Sequence, residues 1–300
     1  APFGIIITVK ENCMKYKKLV AAVAAFAAAV TLSGCAAAQE NEEIHEEFEV
    51  TEEDNVQSPS ENTPPVQNPS ELPEVSEPDK PADAQPPAVK RISYICVTGT
   101  GVAIRSGAGT SFSQLGTAQK NTLYTYLGKE NGWYKTRYRN KTAYISSKFC
   151  VFVDMDENKN EKVEAVIAEG TNHLGTPYVY GATRYHDGNG NKLKGFSTNA
   201  FDCSSLMQYM FYMGANTLLQ VNTRTQVYQG NTVNKSGLKR GDLMFFTNAQ
   251  RYNKTGVERI GHVAMYLGGN YILHTASDYA KIEQISSTRW SYFIQGQRIF

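Results

Sequence analysis

The stretch FDCSSL, at residues 201–206, places a cysteine directly behind an aspartate at the start of an apolar, helix-like run. A helix that begins at Cys203 directs its unpaired N–H groups and its positive dipole end at the sulfur, which favours the thiolate. The charge of Asp202 opposes the thiolate, so a nearby imidazolium has to outweigh it. The cysteine could be half of a disulfide, a small buried residue or a nucleophile that attacks a carbonyl carbon.

Two histidines in strand-like runs are the candidate partners of this cysteine. In GHVAMYLG, at residues 261–268, alternation places His262 and Ala264 on one face. A three-residue loop over residues 268–270 would make Ala264 face His274 and leave the two histidines as diagonal neighbours. A two-residue turn would put them on opposite faces. A Cys-His-His site therefore depends on an odd-length loop.

The N-terminal residues have the pattern of a bacterial export signal. A basic start after Met14 precedes an apolar run from Leu19 to Leu32, which has the length of a secretory signal and is short for a membrane span. The run ends in LSGC, which resembles a bacterial lipobox, whose cysteine is lipid-modified. Residues 1–35 are thus predicted to be upstream residues plus a lipoprotein signal peptide, with lipidation and membrane attachment at Cys35.

Composition and charge change along the chain. Residues 36–90 hold nine of the 11 prolines among many Glu, Ser, Asn and Gln, a composition that predicts a disordered, acidic, Pro-rich linker. The net charge of +1 conceals a basic remainder: residues 91–300 carry 24 Lys and Arg against 13 Asp and Glu, a balance of +11. This charge suits an anionic wall polymer. No basic stripe with interleaved aromatics indicates a nucleic acid, so none is expected as a partner.

Residues 91–153 consist of short β-prone runs separated by Gly, Ser and Asn turns, which predicts a small all-β barrel. Three motifs carry a resemblance to a bacterial SH3 domain: VAIRSGAG at 102–109, NGWYK at 131–135 and AYISS at 143–147. The resemblance implies an SH3-like barrel that binds or positions peptidoglycan. Cys96 and Cys150 lie near the two ends of this barrel, and the sequence leaves open whether they form a disulfide.

From residue 161 the pattern becomes helical and then strand-like. Apolar residues at helical spacing follow Glu161 until Gly175 and Pro177 stop the helix, and a second helix is predicted near Ser204. Strand-like runs follow over residues 242–247, 261–267, 271–275 and 292–300. Helices followed by antiparallel strands indicate an α+β fold.

Several motifs in this part resemble an NlpC/P60 cysteine peptidase. They are LGTPYVYG at 174–181, FDCSS at 201–205, RTQ at 224–226, GDLMFF at 241–246, GHVAMYLG at 261–268 and the closing His274. The resemblance implies a papain-like α+β catalytic domain over residues 161–300. It also implies cleavage of peptidoglycan stem peptides, commonly between D-γ-glutamate and a diamino acid, with no metal or other cofactor.

The catalytic residues that the resemblance implies are four. Cys203 would attack the amide carbonyl, His262 would act as base and then acid, and His274 would orient His262. Tyr178 would bind the developing oxyanion together with the Cys203 N–H. Water would then hydrolyse the thioester.

Substrate-binding candidates lie beside the cysteine. Asp202 and Ser204 would border the groove and hold the amino end of the stem peptide, and Arg224 would bind a carboxylate or lie at the surface. The chain has Ser205 where the family usually has glycine, and its loop over residues 182–200 is longer than in the shortest relatives. This loop could shape specificity, with His186, Lys192 or Lys194 facing the substrate. Alternatively, it is a solvated surface loop without contact to the substrate.

Three alternatives to the endopeptidase remain. A CHAP-like amidase would cut the sugar-to-peptide amide, a non-catalytic lipoprotein would bind the wall through its SH3 domain, and an acyl transferase would use an amine in place of water. The expected protein is a monomer, exported and lipid-anchored on the extracytoplasmic face of a bacterial membrane, and acting in the cell wall.

Overall fold

The computed structural model describes residues 90–300. The predicted signal peptide, the lipidation site Cys35 and the linker as far as residue 89 lie outside the described residues. In the described part of the chain, no helix has the length and apolar character needed to cross a membrane.

Residues 90–300 form fourteen strands and four α-helices. The strands of the predicted barrel are β1 (Arg91–Val97), β2 (Val102–Arg105), β3 (Gln114–Ala118), β4 (Leu123–Thr125), β5 (Lys129–Glu130), β6 (Trp133–Tyr138), β7 (Lys141–Ser146) and β8 (Cys150–Asp156). The remaining strands are β9 (Asn231–Val233), β10 (Leu243–Phe246), β11 (His262–Gly268), β12 (Tyr271–Ala276), β13 (Tyr279–Gln284) and β14 (Phe293–Arg298). The helices are α1 (Glu161–Asn172), α2 (Cys203–Ala215), α3 (Thr223–Gln226) and α4 (Ser287–Ser291).

These strands form two antiparallel sheets. One has five strands in the order β3-β2-β7-β6-β5, and the other has nine in the order β8-β1-β4-β13-β12-β11-β10-β14-β9. Helices α1 and α2 pack on each other, and α2 also packs on β11 and β12. The predicted combination of an SH3-like β barrel and an α+β part is confirmed.

The two parts share the larger sheet, because β4 of the barrel pairs with β13 through buried Leu123 and Ile282. A second contact lies at Gly175, whose φ of +83° suits glycine. An added Cβ there would come within 2.0 Å of the Tyr138 ring of the barrel, and Arg139 Nε donates a hydrogen bond to the Gly175 carbonyl (2.7 Å). The barrel therefore braces the segment that leads to Tyr178.

A buried ion pair also joins the two parts. Arg240, just before β10, makes a two-pronged contact with Glu164 of α1 (2.7 and 2.8 Å), and the two side chains are 6% and 14% exposed. The same guanidinium donates to Tyr94 Oη on β1 (3.0 Å) and to the Leu267 carbonyl on β11 (3.0 Å). One cation thus satisfies groups from β1, α1 and β11.

Replacing Arg240 with methionine is expected to lower the free energy of unfolding by about 3–5 kcal/mol, because it leaves the Glu164 carboxylate buried without its partner. Urea denaturation of both proteins measures the change. Lys90→Met is the matched control, since it removes a cation from Glu157 at the surface, where Lys90 is 80% exposed. Exposed pairs contribute only about 0–1 kcal/mol. An equal effect of the two substitutions would contradict the assigned role of Arg240.

The barrel cysteines are not bridged. Cys96 pairs across the strands with Val151, and Cys150 pairs with Val97. Paired residues of antiparallel strands share a face and successive residues alternate, so the two thiols belong to opposite faces of the sheet. Both are free thiols, as is Cys203.

Candidate active site

Cys203 is the first residue of α2, and Asp202 caps this helix. The Asp202 carboxylate accepts a hydrogen bond from the Ser205 N–H (2.8 Å), and the Ser205 hydroxyl accepts one from the Asp202 N–H (2.8 Å). This reciprocal pair is a capping box. Ser205, at the position where the family usually has glycine, therefore helps to fix the helix start that carries the cysteine.

Helix α2 is held in place by burial. Leu206, Met207, Met210 and Phe211 are all fully buried, and the helix packs against α1, β11 and β12. Because the apolar side chains surround the helix, it cannot turn without losing their burial. Cys203 is itself 8% exposed, at the end of this fixed helix.

The hairpin of β11 and β12 has the register that the Cys-His-His prediction requires. Met265 pairs with Leu273, as a three-residue loop would place them, although Gly268 pairs with Tyr271 around a two-residue turn. A bulge between Tyr266 and Gly268 restores the register. The two histidines of these strands consequently reach the same face.

A chain of hydrogen-bonded side chains runs through this face. His262 Nε2 lies 3.0 Å from His274 Nδ1, and His274 Nε2 lies 2.9 Å from Glu283 Oε1 on β13. His274 is fully buried. Arg289 Nη2 and Lys281 Nζ lie 3.1 and 3.5 Å from the Glu283 carboxylate. Glu283 thus extends the predicted pair by a residue that the sequence analysis did not identify.

The carboxylate fixes the tautomers of both histidines. Glu283 accepts, so His274 carries its proton on Nε2 and leaves Nδ1 as an acceptor. His262 Nε2 then donates to that acceptor, so the lone pair of neutral His262 is on Nδ1. This assignment follows from the hydrogen-bond partners. His262 Nδ1 is therefore the atom that can take a proton.

The surroundings of the three hydrogen-bonded side chains determine their protonation states. Burial, followed by the charge of His274, lowers the pKa of His262 well below 6.5. Burial also lowers the pKa of His274. Although burial alone would raise the pKa of Glu283, hydrogen bonding and charge from His274, with Lys281 and Arg289, bring it to about 2. Near neutral pH the hydrogen-bonded side chains are therefore the Glu283 carboxylate and the neutral imidazoles of His274 and His262.

Cys203 is a neutral thiol in this structure. Burial, and then the charge of Asp202, raise its pKa to about 12, against the lowering effects of the Val263 and Ser204 backbone and of Arg184. The predicted preference of the helix start for thiolate is thus outweighed by burial. The thiol has to lose its proton to a base during reaction, so a neutral imidazole suits it.

Cys203 and His262 line one cleft of ≈ 520 Å³, together with Tyr178, Phe246, Arg289 and Tyr292. Tyr178 follows Pro177, and its N–H donates to the Asp278 carbonyl (2.9 Å). Burial, followed by the charges of Cys203 and Asp202, raises the pKa of Tyr178 to about 12. Its phenol therefore stays protonated and can donate to an oxygen bound in the cleft.

A second cleft of ≈ 380 Å³ adjoins the first at Cys203. Cys203 and Tyr178 line both clefts, whereas Asp202, Ser204 and Arg224 line the second. Arg224, on the short helix α3, lies 3.3 Å from Glu258. The structure thus places all the predicted substrate-binding residues beside the cysteine.

Asp202 and Ser204 already contact a side chain of the protein itself, that of Arg184. Arg184 Nη2 lies 2.7 Å from Asp202 Oδ2 and donates to the Ser204 hydroxyl at 3.0 Å. Ser204 in turn donates to Asp202 Oδ1 (3.0 Å). Arg184 belongs to the long loop, and the sequence analysis did not single it out.

The remaining candidates in the long loop do not reach either cleft. His186 is fully buried, and its Nδ1 accepts from the Gly188 N–H (3.0 Å). Lys192 lies over the Tyr185 ring, 5.3 Å from its centroid. Lys194 is exposed, and none of the three lines the two clefts.

The barrel contacts residues beside Glu283. Gln119 lies 3.3 Å from Asp278 Oδ2 and 3.5 Å from Lys281 Nζ, and Lys281 also contacts Glu283. The residues that line the two clefts all come from residues 178–292.

Within residues 90–300, no group of three or more His, Cys, Asp and Glu side chains is arranged to hold a metal ion.

Replacing Glu283 with glutamine should reduce kcat/KM about tenfold, because the carboxylate stabilises the imidazolium that forms when His262 accepts a proton. The charge of Glu283 raises the pKa of His262, so its loss lowers that pKa further. Since activity requires the unprotonated imidazole, the acid limb of the kcat/KM profile, already below pH 6.5, moves to lower pH. Both effects are measured from kcat/KM across pH for a stem peptide, the substrate that the sequence resemblance implies.

The control for this prediction is Glu258→Gln, which removes an exposed carboxylate beside the second cleft. It should leave the acid limb where it is. A Glu283→Gln protein that loses rate with an unmoved acid limb would show that Glu283 has only a structural role.

Comparison with known families identifies both parts of the chain. The NlpC/P60 family matches residues 175–298, and the bacterial SH3 domain matches residues 100–150. The expected resemblances are confirmed over these residues.

Three relatives show how far the similarity extends. Gamma-DL-glutamyl hydrolase of Bacillus subtilis is 30% identical over 136 residues, which are 45% of this chain and 29% of the relative. Peptidoglycan endopeptidase RipA of Mycolicibacterium smegmatis is 29% identical over 136 residues, 45% of this chain and 25% of the relative. Gamma-D-glutamyl-L-lysine dipeptidyl-peptidase of Bacillus subtilis is 27% identical over 171 residues, 57% of this chain and 50% of the relative. The chain spans half or less of the length of each.

Proposed function

Because this chain carries an NlpC/P60 domain behind a bacterial SH3 domain, we propose that it is a cysteine endopeptidase that cleaves peptidoglycan stem peptides. The bond that we propose is the amide between D-γ-glutamate and the diamino acid. The relatives support this choice, since two of them are named for γ-glutamyl bonds and one for peptidoglycan. No metal or other cofactor is proposed.

The observation that carries the proposal is the hydrogen-bonded chain from Glu283 through His274 to His262, which opens into the same cleft as Cys203. It leaves His262 neutral with a free Nδ1, which is the state a general base requires. A wall-binding protein without catalysis has no chemical need for such an arrangement.

The proposed reaction begins with transfer of the Cys203 proton to His262 Nδ1 as the sulfur attacks the amide carbon. The oxyanion of the tetrahedral intermediate accepts hydrogen bonds from the Cys203 N–H at the helix start and from the Tyr178 hydroxyl. His262 then protonates the departing amine, and the acyl half remains as a thioester on Cys203. Water, deprotonated by His262, then attacks the thioester carbon, the C–S bond breaks, and His262 returns the proton to the Cys203 sulfur as the acyl half leaves as a carboxylic acid.

The test is mass spectrometry of muropeptides incubated with the full chain, with Cys203→Ala in parallel. Fragments that end in γ-D-glutamate, absent with the variant, are the expected result. Release of intact stem peptide from the sugar would instead identify an amidase, and new amide-linked products would identify an acyl transferase. Intact muropeptides with folded protein would overturn the hydrolase proposal and favour wall binding.

We also propose that the protein acts outside the cytoplasmic membrane, anchored by lipid on Cys35. The support is the sequence pattern before Cys35, together with the proposed cell-wall substrate. Labelled palmitate should enter the wild-type protein and not Cys35→Ala. Equal labelling of the two proteins would contradict the anchor.

A further inference from the structure

The two clefts beside Cys203 hold different halves of the substrate, if the proposed function is correct. His262 protonates the departing amine, so the amine half lies in the cleft that His262 lines. The acyl half, with the amino end of the stem peptide, then lies in the second cleft, beside Asp202 and Arg184. The residues of the second cleft therefore determine whether the bound amino end is a free ammonium or is acylated.

Among residues 90–300, Asp202 supplies the only carboxylate that lines the second cleft, and both of its oxygens are already engaged by the protein's own groups. Asp202 Oδ1 accepts from the Ser205 N–H (2.8 Å) and the Ser204 hydroxyl (3.0 Å), and Oδ2 contacts Arg184 Nη2 (2.7 Å). Asp202 is 4% exposed. A guanidinium from the protein's own loop thus takes the place that a substrate cation would need.

Arg184 is fixed in this position from three sides. Its Nε donates to the Val221 carbonyl (2.7 Å), its Nη1 to the Ala182 carbonyl (2.6 Å) and its Nη2 to the Ser204 hydroxyl (3.0 Å). Its side chain is 19% exposed. Displacing it would leave a partly buried charge without partners, so an ammonium cannot exchange for it at low cost.

The rest of the cleft is also unfavourable to a cation. Arg224 and Arg251 line it together with Arg184, whereas Asp202 is the one carboxylate that lines it within the described part of the chain. Glu258 pairs with Arg224 and Arg251 from a 57% exposed position, where water and salt weaken its field. A second positive charge placed in this cleft would meet repulsion that an uncharged group would not.

We propose that Arg184 makes the second cleft selective for stem peptides whose amino end is acylated, as it is while the peptide remains attached to the glycan strand. A free α-ammonium is rejected, because Arg184 already neutralises Asp202. The expected substrate class is therefore the glycan-linked stem peptide, and the free peptide is a poor substrate.

The mouth of this cleft has a feature that suits an attached sugar. Tyr180 lines the cleft and is 85% exposed. An exposed aromatic ring offers an apolar face with little conformational freedom to lose on binding.

The proposed preference for an acylated amino end also distinguishes this chain from a dipeptidyl-peptidase, which by its reaction requires a free amino end.

The experiment compares two stem peptides that differ only at the amino end, one free and one N-acylated with a lactyl group. Wild-type full chain should cleave the acylated peptide with at least about tenfold higher kcat/KM. Arg184→Met should bring the ratio to about one or below, because Asp202 is then free to attract the ammonium. Binding of both peptides to Cys203→Ala, with and without Arg184→Met, gives the same ratio without catalysis.

Two further variants separate charge from folding. Arg184→Lys keeps the cation and should retain a preference for the acylated peptide. Lys192→Met removes a cation from the same loop outside both clefts and should leave the ratio unchanged. Thermal unfolding verifies that each variant is folded.

The outcomes distinguish this proposal from the proposed function. A wild-type protein that binds and cleaves the free peptide equally well or better would overturn the selection, as would an unchanged ratio in Arg184→Met. A preserved binding ratio without cleavage of either peptide would overturn the endopeptidase and leave the selection standing. No binding of either peptide would overturn both.

Discussion

Replacing Cys203 with alanine is expected to reduce turnover of stem peptides at least about a thousandfold. Without the sulfur no thioester can form, and the neutral imidazole of His262 cannot substitute as a nucleophile to give the same products. The fold should survive, because Asp202 and Ser205 cap α2 without the thiol. Initial rates, together with circular dichroism and thermal unfolding, measure both parts of this expectation.

Cys150→Ala is the matched control, since Cys150 is a free, partly buried thiol on the barrel strand β8. It should turn over stem peptide at the wild-type rate. Cleavage by Cys203→Ala at more than a few per cent of the wild-type rate would remove Cys203 from the mechanism.

Replacing His262 with alanine is expected to reduce kcat about 10²–10⁴-fold, the usual contribution of a general base. The effect should be large because the Cys203 thiol, with a pKa of about 12, does not ionise unaided near neutral pH. Added imidazole should restore part of the rate, since the substitution leaves space beside Cys203 for a free base. Rates with and without imidazole measure this rescue.

The control for His262 is His186→Gln, because His186 is buried outside both clefts. Once its folding has been verified, this variant should retain turnover and show no response to imidazole. A His262→Ala protein with nearly normal kcat would mean that another base deprotonates the thiol.

The sequence predicted those parts of the site that depend on local pattern. The aspartate and apolar run around Cys203 predicted a capped helix, and the structure has α2 beginning at Cys203. Alternation along β11 and β12 placed His262 and His274 near each other, and their ring nitrogens lie 3.0 Å apart. Both predictions needed only neighbours close in the chain.

The loop that joins these strands shows why register was harder to predict. The glycine-rich connection permitted an odd or an even loop, and the structure combines a two-residue turn with a bulge. Nothing in a short Gly-Gly-Asn connection specifies a bulge, because the choice is made by the strands that it joins.

Glu283 was missed because β13 was missed. Within its sequence, YAKIEQ, apolar and polar residues alternate from Ala280 to Glu283, and a third strand after the hairpin could have been inferred from this alternation. That strand places Glu283 beside His274 only once it pairs with β12, which is a contact formed by the fold.

Arg184 carried no comparable signal. It lies in an irregular loop, and its contact with Asp202 joins residues from separate segments. The resemblance suggested an open carboxylate at Asp202, and the structure shows one already paired. Pairing of the barrel with β13, through Leu123 and Ile282, was likewise beyond the sequence, since it joins segments predicted as separate domains.

The most direct test of the mechanism is intact-protein mass spectrometry of the wild-type chain, quenched in acid within the first turnover of an N-acylated stem peptide. The predicted result is an added mass equal to the acyl half that ends in γ-D-glutamate, attached to Cys203 and removed by hydroxylamine. Peptide cleavage without any adduct on Cys203, or an adduct of the N-acyl group alone, would contradict the proposed thioester at this bond.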